Sequence, residues 1–560
     1  MSDLRLARMA SLGGTAALLL PGAPALRAAD PPPGALREQL LPRVLEGRWQ
    51  EVLPLAEQLT RRDPDYALGW LALGLARSHT GLHREAIPAF DRALALGAAQ
   101  PFRIHLDLAR VHAALGDPDA ALDWLDRAVA AKAPSRQRWA SDPRLKPLAG
   151  LPRFKALTLT AELPAATRAE GWRSDIDLLV GELKRLHARP FRQVPESVFD
   201  ARIAALKAEV DKLDDGAITV RLMQILLPVA DGHTQIVPPY RSGESTRLLP
   251  LQMFLFEEGL YVTAVPAEHA DLLWARVDRI DRTPVAEAIR ALGTVIPRDN
   301  DMWIKTRAPL FLRYPQILKP LGITAADDRA TYTLVDRHGK ARQVDLQLGR
   351  PSTAPLERPP EAPADPPRHL RQRRDPYWFE VLGPERTLYF QYNAVANRPG
   401  GQESLAQFAD RLAQAIARED IDRLVIDLRW NGGGNLELNL PLLKAILASP
   451  KVNRPRGLYV IVGRQTFSAA QVFAGHLERF SHATFVGEPT GSSPNFIGEH
   501  SDLKLPYSRL TVNISFLAWQ TGAASDHRTW IAPSIPVPVT FAHWRSGQDA
   551  ALEAILAQPH

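Results

Sequence analysis

Apolar residues follow two rhythms along this chain. In the C-terminal half, short unbroken apolar runs alternate with segments whose apolar residues return every three or four positions. Residues 388–393, 424–429, 458–462 and 484–486 are runs of strand length, rich in β-branched and aromatic residues, and predict buried strands. Between them, 404–418 puts Leu405, Phe408, Leu412 and Ile416 on one helical face. Residues 468–480 do the same with Ala469, Val472, Phe473, Leu477 and Phe480, and a third helix runs from Leu436 to about Ala448. Residues 510–516 alternate as a strand. The N-terminal half reads as helical. Leu178, Leu179, Leu183 and Leu186 share a face in 171–219, and the pattern breaks at Asp231-Gly232-His233-Thr234, where a strand begins.

The helical half also repeats itself. Gly47, Gly81 and Gly116 precede similar helices and stand 34 and 35 residues apart. Ala86 and Ala121 are 35 apart and are followed by the aromatics Phe90 and Trp124. Trp70-Leu71-Ala72-Leu73-Gly74 resembles the first-helix signature of tetratricopeptide repeats, so 35–160 is expected to stack helix pairs into a solenoid. Such a solenoid offers a concave surface to peptides or partner proteins, or it serves only as a helical cap. Residues 168–240 form a further helical part. Residues 245–350 resemble a divergent PDZ-type domain: a strand at 259–265, a strand and turn at 275–285 leading into a helix at 285–292, and a hairpin over 330–348 turning at His338-Gly339. Residues 293–328 are then an insertion. PDZ domains accept extended peptides by strand addition, although no Gly-Leu-Gly-Phe-like carboxylate loop is present here. Residues 351–376 are rich in proline and arginine and read as a solvated linker, including the basic cluster Arg368 to Arg374.

Composition narrows the classes. At 560 residues the chain exceeds one core, and 45% apolar with 23% charged residues is ordinary for a globular protein. A net charge of +6 is small for this length and gives no reason to expect nucleic acid. The chain has no cysteine, which excludes disulfides, thiol nucleophiles, cysteine metal sites and a lipobox anchor. No HExxH or other compact metal-ligand cluster occurs, and no cofactor is expected. Arg5 and Arg8 precede an apolar, small-residue stretch that ends near Ala28 and Ala29. Residues 1–29 are therefore expected to be a signal peptide, which makes the mature protein periplasmic or secreted. No later run is long enough to span a membrane.

The chemistry concentrates where strand 458–462 gives way to helix 468–480. Ser468 opens that helix, where free N–H groups and the positive end of the dipole face its hydroxyl. That suits a nucleophile that must generate an oxyanion; it equally suits an N-cap. Upstream, Trp430-Asn431-Gly432-Gly433-Gly434-Asn435 follows a strand, and three glycines let the backbone approach a ligand. No Gly-Lys-Ser/Thr follows, so it is not a phosphate loop.

DLRWNGGGN, TFSAAQVFAGHLE and FVGEPTG, in this order and spacing, resemble the tail-specific (C-terminal processing) protease and tricorn core protease family. The resemblance implies a crotonase-like β/α core over 377–560. It also implies Ser468 as nucleophile, with an oxyanion hole from the N–H groups of Gly433 and Ala469. The bacterial tail-specific branch carries a lysine near the position of Ser493, and 491–495 contains none. The tricorn-like branch instead uses a distant histidine within a similar Asp-Gly-His-Thr, which makes His233 the base: a neutral imidazole can take the serine proton and return it to the leaving amine. The family also places an acid shortly before a Pro-Asp-Ile-like turn, here Pro533-Ser534-Ile535, which makes Asp526 the group that orients the histidine. His527 is an alternative base, Glu488 an alternative acid, and Asn431 an accessory of the glycine loop.

The expected fold is therefore multidomain α and α/β: solenoid, helical segment, PDZ-like domain and β/α core. The expected function is an exported serine peptidase that acts on protein or peptide substrates by a Ser/His/acid mechanism, without metal, nucleic acid or an integral membrane segment. Retinoid-binding relatives of the family supply the alternative of a non-catalytic peptide- or ligand-binding protein. A periplasmic scaffold built on the repeats is a third reading.

Overall fold

The glycines that phase the repeats occupy one conformational role. Gly47, Gly81 and Gly116 have φ of 67°, 87° and 76°, the left-handed region that ends a helix and that glycine enters without a Cβ penalty. Each closes one helix and releases the chain into the next. The computed structural model describes residues 32–161, 167–229, 231–238, 247–349 and 366–559. The signal-peptide expectation over 1–29 lies outside them. Six helices, Pro33–Leu45, Trp49–Arg62, Ala67–His79, His83–Ala95, Pro101–Ala114 and Pro118–Ala130, pack as successive antiparallel pairs. Small residues (Ala56, Ala72, Ala76, Ala86, Ala93) let the helices close on Leu59, Phe90 and Leu108.

The chain divides into two compact units, 1–131 with 143–154, and 132–142 with 155–560. Residues 132–142 belong to the second unit, where Arg136 pairs with Glu182 at 2.9 Å and the Ser135 N–H donates to Ser501 Oγ at 2.7 Å.

In the second unit, helices Arg168–Leu186, Glu196–Glu209 and Asp215–Leu226 lead into strand Gln235–Val237. Thr167 and Glu170 form a reciprocal capping box at the start of the first of these. Strand Gln235–Val237 joins a three-stranded antiparallel sheet with Thr511–Gln520 and Asn495–Lys504. Residues 252–347 form an antiparallel sheet with helix Val285–Leu292 beside it, and the 293–328 insertion carries helix Met302–Phe311.

The core sheet has six strands in the order Ile535–Pro536, Thr484–Gly487, Leu458–Val462, Arg423–Asp427, Thr387–Tyr392, Tyr377–Leu382. All neighbouring pairs are parallel except the last. Covered on both faces, strands Leu458–Val462, Arg423–Asp427 and Thr387–Tyr392 are buried at every position, which is why they read as unbroken apolar runs. At the carboxyl end of strand Arg423–Asp427, Arg429 bridges the buried carboxylates Asp427 (2.9 Å) and Asp549 (2.9 Å), tying the C-terminal helix Ala550–Leu556 to the sheet.

Of the proline- and arginine-rich stretch, 351–365 lies outside the described residues. Within the basic cluster that follows, His369 is packed while Arg373 and Arg374 are exposed. His369 is buried and accepts the Trp430 Nε1–H at 3.0 Å, and Arg373 lies 4.0 Å over the Trp430 ring. The Trp430 ring next to the glycine loop thus carries an exposed guanidinium on its face.

Candidate active site

The parallel sheet delivers two loops to one place. After strand Leu458–Val462, the Thr466 hydroxyl accepts the Gly463 N–H (3.1 Å) and donates to the Leu428 carbonyl (2.9 Å). The Phe467 N–H donates to the Asn431 carbonyl at 3.1 Å. The loop of Ser468 is thereby fastened to the glycine loop of the neighbouring strand. Ser468 then enters helix Ala469–Phe480 at φ 52°, ψ −124°, a conformation that L-residues rarely adopt, and its side chain makes no capping hydrogen bond. Ser468 thus occupies the N-cap position without its hydroxyl capping the helix. The Ala469 N–H is the first of the helix donors without an intrahelical acceptor.

Gly433 lies directly against this serine. Its φ is +104°, and a Cβ there would stand 2.7 Å from Ser468 Cβ and 2.9 Å from the Ala469 nitrogen. The closeness expected of the glycine loop is present, but the expected donor is not free. The Gly433 N–H donates to Asn431 Oδ1 at 2.9 Å, and Asn431 Nδ2 donates to the Tyr392 carbonyl at 3.0 Å. Asn431 is thus the internal brace of the loop, and Gly433 supplies room rather than an available N–H in this arrangement.

His233 is buried next to the same loop. Its ring stacks on Phe467, the residue before Ser468, at 4.5 Å, and on Phe496 at 5.6 Å. Phe467 stacks in turn on Trp303 at 4.1 Å. Among the described residues, neither ring nitrogen of His233 has a hydrogen-bond partner of normal geometry. Burial pushes its pKa down to about 4, against the pull of Asp231. The imidazole is uncharged at neutral pH, as a base must be, but it lies well below the value near 7 that a general base favours. The structure brings His233 and Ser468 to adjacent layers, joined through Phe467, without a hydrogen bond between them.

A buried polar network holds the loop of His233. Asp231 Oδ1 accepts the backbone N–H groups of His233 (2.8 Å) and Thr234 (2.6 Å) and the Ser515 hydroxyl (2.9 Å). Asp231 Oδ2 meets His187 Nε2 at 2.9 Å. Burial alone would lift the Asp231 carboxyl, but His187, His233 and Thr234 outweigh it and hold the pKa below its ordinary value. His187 and Ser515 were not singled out in the sequence. Asp231 was visible as the first residue of Asp-Gly-His-Thr, where an aspartate bonding N–H groups two and three residues on is a standard turn device.

Three expected residues lie elsewhere. Asp526 does not orient His233. It accepts from Arg528 Nη2 at 2.8 Å, and Arg528 in turn forks onto Glu478 at 2.8 Å. Arg528 holds the Asp526 carboxyl below its ordinary value. A guanidinium two residues away outcompetes a buried imidazole that carries no charge. His527 is exposed. Glu488 is buried in a two-pronged pair with Arg464 (2.8 and 2.5 Å), and Arg464 also donates to the Leu255 carbonyl at 2.5 Å, so this pair ties the core to the antiparallel sheet of 252–347.

The tetratricopeptide repeat family profile matches residues 46–101 and 80–136. Residues 46–136 are tetratricopeptide repeats. No curated protein matches the chain in sequence. Among solved structures, mature CPAF is similar over 70% of this chain and 96% of its own, at 13% identity and a TM-score of 0.49. The photosystem II D1 C-terminal processing protease is similar over 69% of this chain and 99% of its own, at 14% identity and a TM-score of 0.34. PcrH, in complex with the chaperone binding region of PopD, is similar over 22% of this chain and 87% of its own, at 23% identity and a TM-score of 0.18. Leu68 and Leu82 on the tetratricopeptide repeats, and Leu41 and Leu45 on the helix before them, are exposed. Among the described residues, no helix is long and apolar enough to cross a membrane.

Proposed function

We propose that this chain is a serine peptidase with Ser468 as nucleophile and His233 as general base. The observation that carries the reading is the backbone of Ser468: a strained residue at a helix start, its hydroxyl unspent, against a glycine that admits no side chain. Strain of this kind persists where the surrounding structure enforces it, and it presents a hydroxyl outward from a strand-to-helix turn. In the proposed reaction Ser468 Oγ attacks the peptide carbonyl carbon and His233 takes the hydroxyl proton. The helix N–H of Ala469 stabilises the oxyanion. His233 then returns the proton to the leaving amine. Catalytic hydrogen bonds are often long or unformed before substrate binds, so the separation of His233 and Ser468 fits a resting site.

The signal-like pattern of residues 1–29 supports export, and the exposed leucines on the repeats support a protein partner there. One observation favours a second reading. With neither ring nitrogen of His233 partnered, the core also fits a ligand-binding protein without turnover. Fluorophosphonate labelling and casein cleavage by the full chain separate the two. The peptidase reading expects both in the wild type and neither in Ser468→Ala. Wild type that does neither supports the binding protein.

A further inference from the structure

The insertion at 293–328 is the part of the chain with no assigned role, yet one stretch of it touches three loops of the candidate site. Asp299 Oδ1 accepts the Gly232 N–H at 3.1 Å, beside His233, and its Oδ2 accepts the Ser492 hydroxyl at 2.5 Å. Asn300 Nδ2 donates to the carbonyls of Thr490 (3.1 Å) and Thr529 (2.7 Å). Trp303 stacks on Phe467, and the Thr306 hydroxyl donates to the Arg464 carbonyl at 2.9 Å. The loop of the base, the loop of the nucleophile and the loop after strand Thr484–Gly487 are all fixed from 299–306.

Within that stretch Asp299 is the group whose charge can change. Its partners are neutral donors. Burial, joined by the like charge of Asp231, pushes its carboxyl up to about 7 against the hydrogen bonds from Ser492, Gly232 and Ser493. On its own segment Arg298 is occupied by Asp301 at 2.9 Å. From the other elements the titratable groups facing this region are Asp231, with His187 behind it, and His233, on which His500 also acts.

We propose, on the peptidase reading above, that Asp299 is a positioning residue for His233: its carboxylate holds the Gly232 N–H beside the imidazole, and protonation weakens that hold. The consequence separates this site from an ordinary serine–histidine pair. A rise in reactivity through neutral pH is usually the histidine losing its proton. Here His233 is already neutral, because its pKa is about 4. A rise near 7 that is absent from Asp299→Asn therefore reports Asp299.

The test is the rate of fluorophosphonate labelling of the full chain from pH 5 to 9, in wild type, Asp299→Asn and Ser492→Ala, with Ser468→Ala as blank. In parallel, the His233 Cε1 resonance is followed in histidine-labelled protein and assigned with His233→Gln. Asparagine keeps an acceptor for Gly232 and a donor for Ser492, and equal thermal midpoints verify the fold. In wild type we expect labelling to rise with a midpoint near 7 and the His233 resonance to inflect at the same pH. In Asp299→Asn both inflections are expected to vanish, with labelling at pH 8 about tenfold slower. Ser492→Ala, which removes a hydrogen bond that favours the carboxylate, is expected to move the midpoint upward. Superimposable wild-type and Asp299→Asn profiles overturn the proposal and leave the peptidase reading standing. An unlabelled wild type whose His233 resonance still inflects near 7, and loses that inflection in Asp299→Asn, upholds the link and overturns the peptidase reading. No inflection near 7 in either protein overturns the link.

Discussion

Replacing Ser468 by glycine should make the protein more stable than replacing it by alanine. The residue stands at φ 52°, ψ −124°, where an L-residue pays about 1–3 kcal/mol and glycine almost nothing. No capping hydrogen bond offsets that strain, so alanine keeps the whole of it while losing only the hydroxyl. Glycine removes the strain but gives the unfolded chain more freedom, worth roughly 0.4–1 kcal/mol in the opposite direction. The net advantage of glycine over alanine is about 1 kcal/mol. In a unit this large that moves a melting midpoint by only roughly 2 °C, so urea unfolding followed by tryptophan fluorescence is the better assay, read at equal slopes. Both variants should lose fluorophosphonate labelling. If Ser468→Gly unfolds at the same or lower urea than Ser468→Ala, the serine is not strained, and the argument for an enforced nucleophile turn fails.

Gly433→Ala should abolish labelling and destabilise by at least about 3 kcal/mol in urea, because the new Cβ meets Ser468 and backbone atoms at 2.7–3.0 Å on a residue with φ +104°. Arg429→Ala strands the buried carboxylates Asp427 and Asp549 and should cost about 3–5 kcal/mol, with the loss smaller at low pH where they protonate. His233 has a folded pKa of about 4, below its ordinary 6.5, so the unfolded chain binds the proton first as pH falls. Stability should drop by roughly 3 kcal/mol between pH 6.5 and 4, and His233→Phe should remove that increment from the pH profile of urea midpoints. Asp526→Ala should leave labelling within about twofold, since it breaks only a surface pair with Arg528; a hundredfold loss would return Asp526 to the catalytic machinery.

What the sequence made legible follows from how far each signal reaches along the chain. The inner strands were readable because burial on both faces demands an apolar residue at every position, and the repeats because each needs a glycine at the same left-handed turn. Ser468 and its glycine loop were readable for the same local reason. The brace inside that loop was also within reach: Asn431 lies two residues before Gly433, the spacing at which an asparagine side chain takes a backbone N–H. Long-range choices between partners were not readable. Asp526 had a nearer cation in Arg528, itself fixed by Glu478 on the nucleophile helix, and a guanidinium is a stronger partner than a buried neutral imidazole. Asp299 carries no local mark at all. Its neighbours in space are Gly232 and Ser492, 67 and 193 residues away, and it gains meaning only when the insertion folds onto the core. An insertion is usually read as tolerated length. Here it supplies the carboxylate nearest the loop of the candidate base that a proton can still discharge near neutral pH, so deleting it as dispensable should loosen the site from behind rather than expose it.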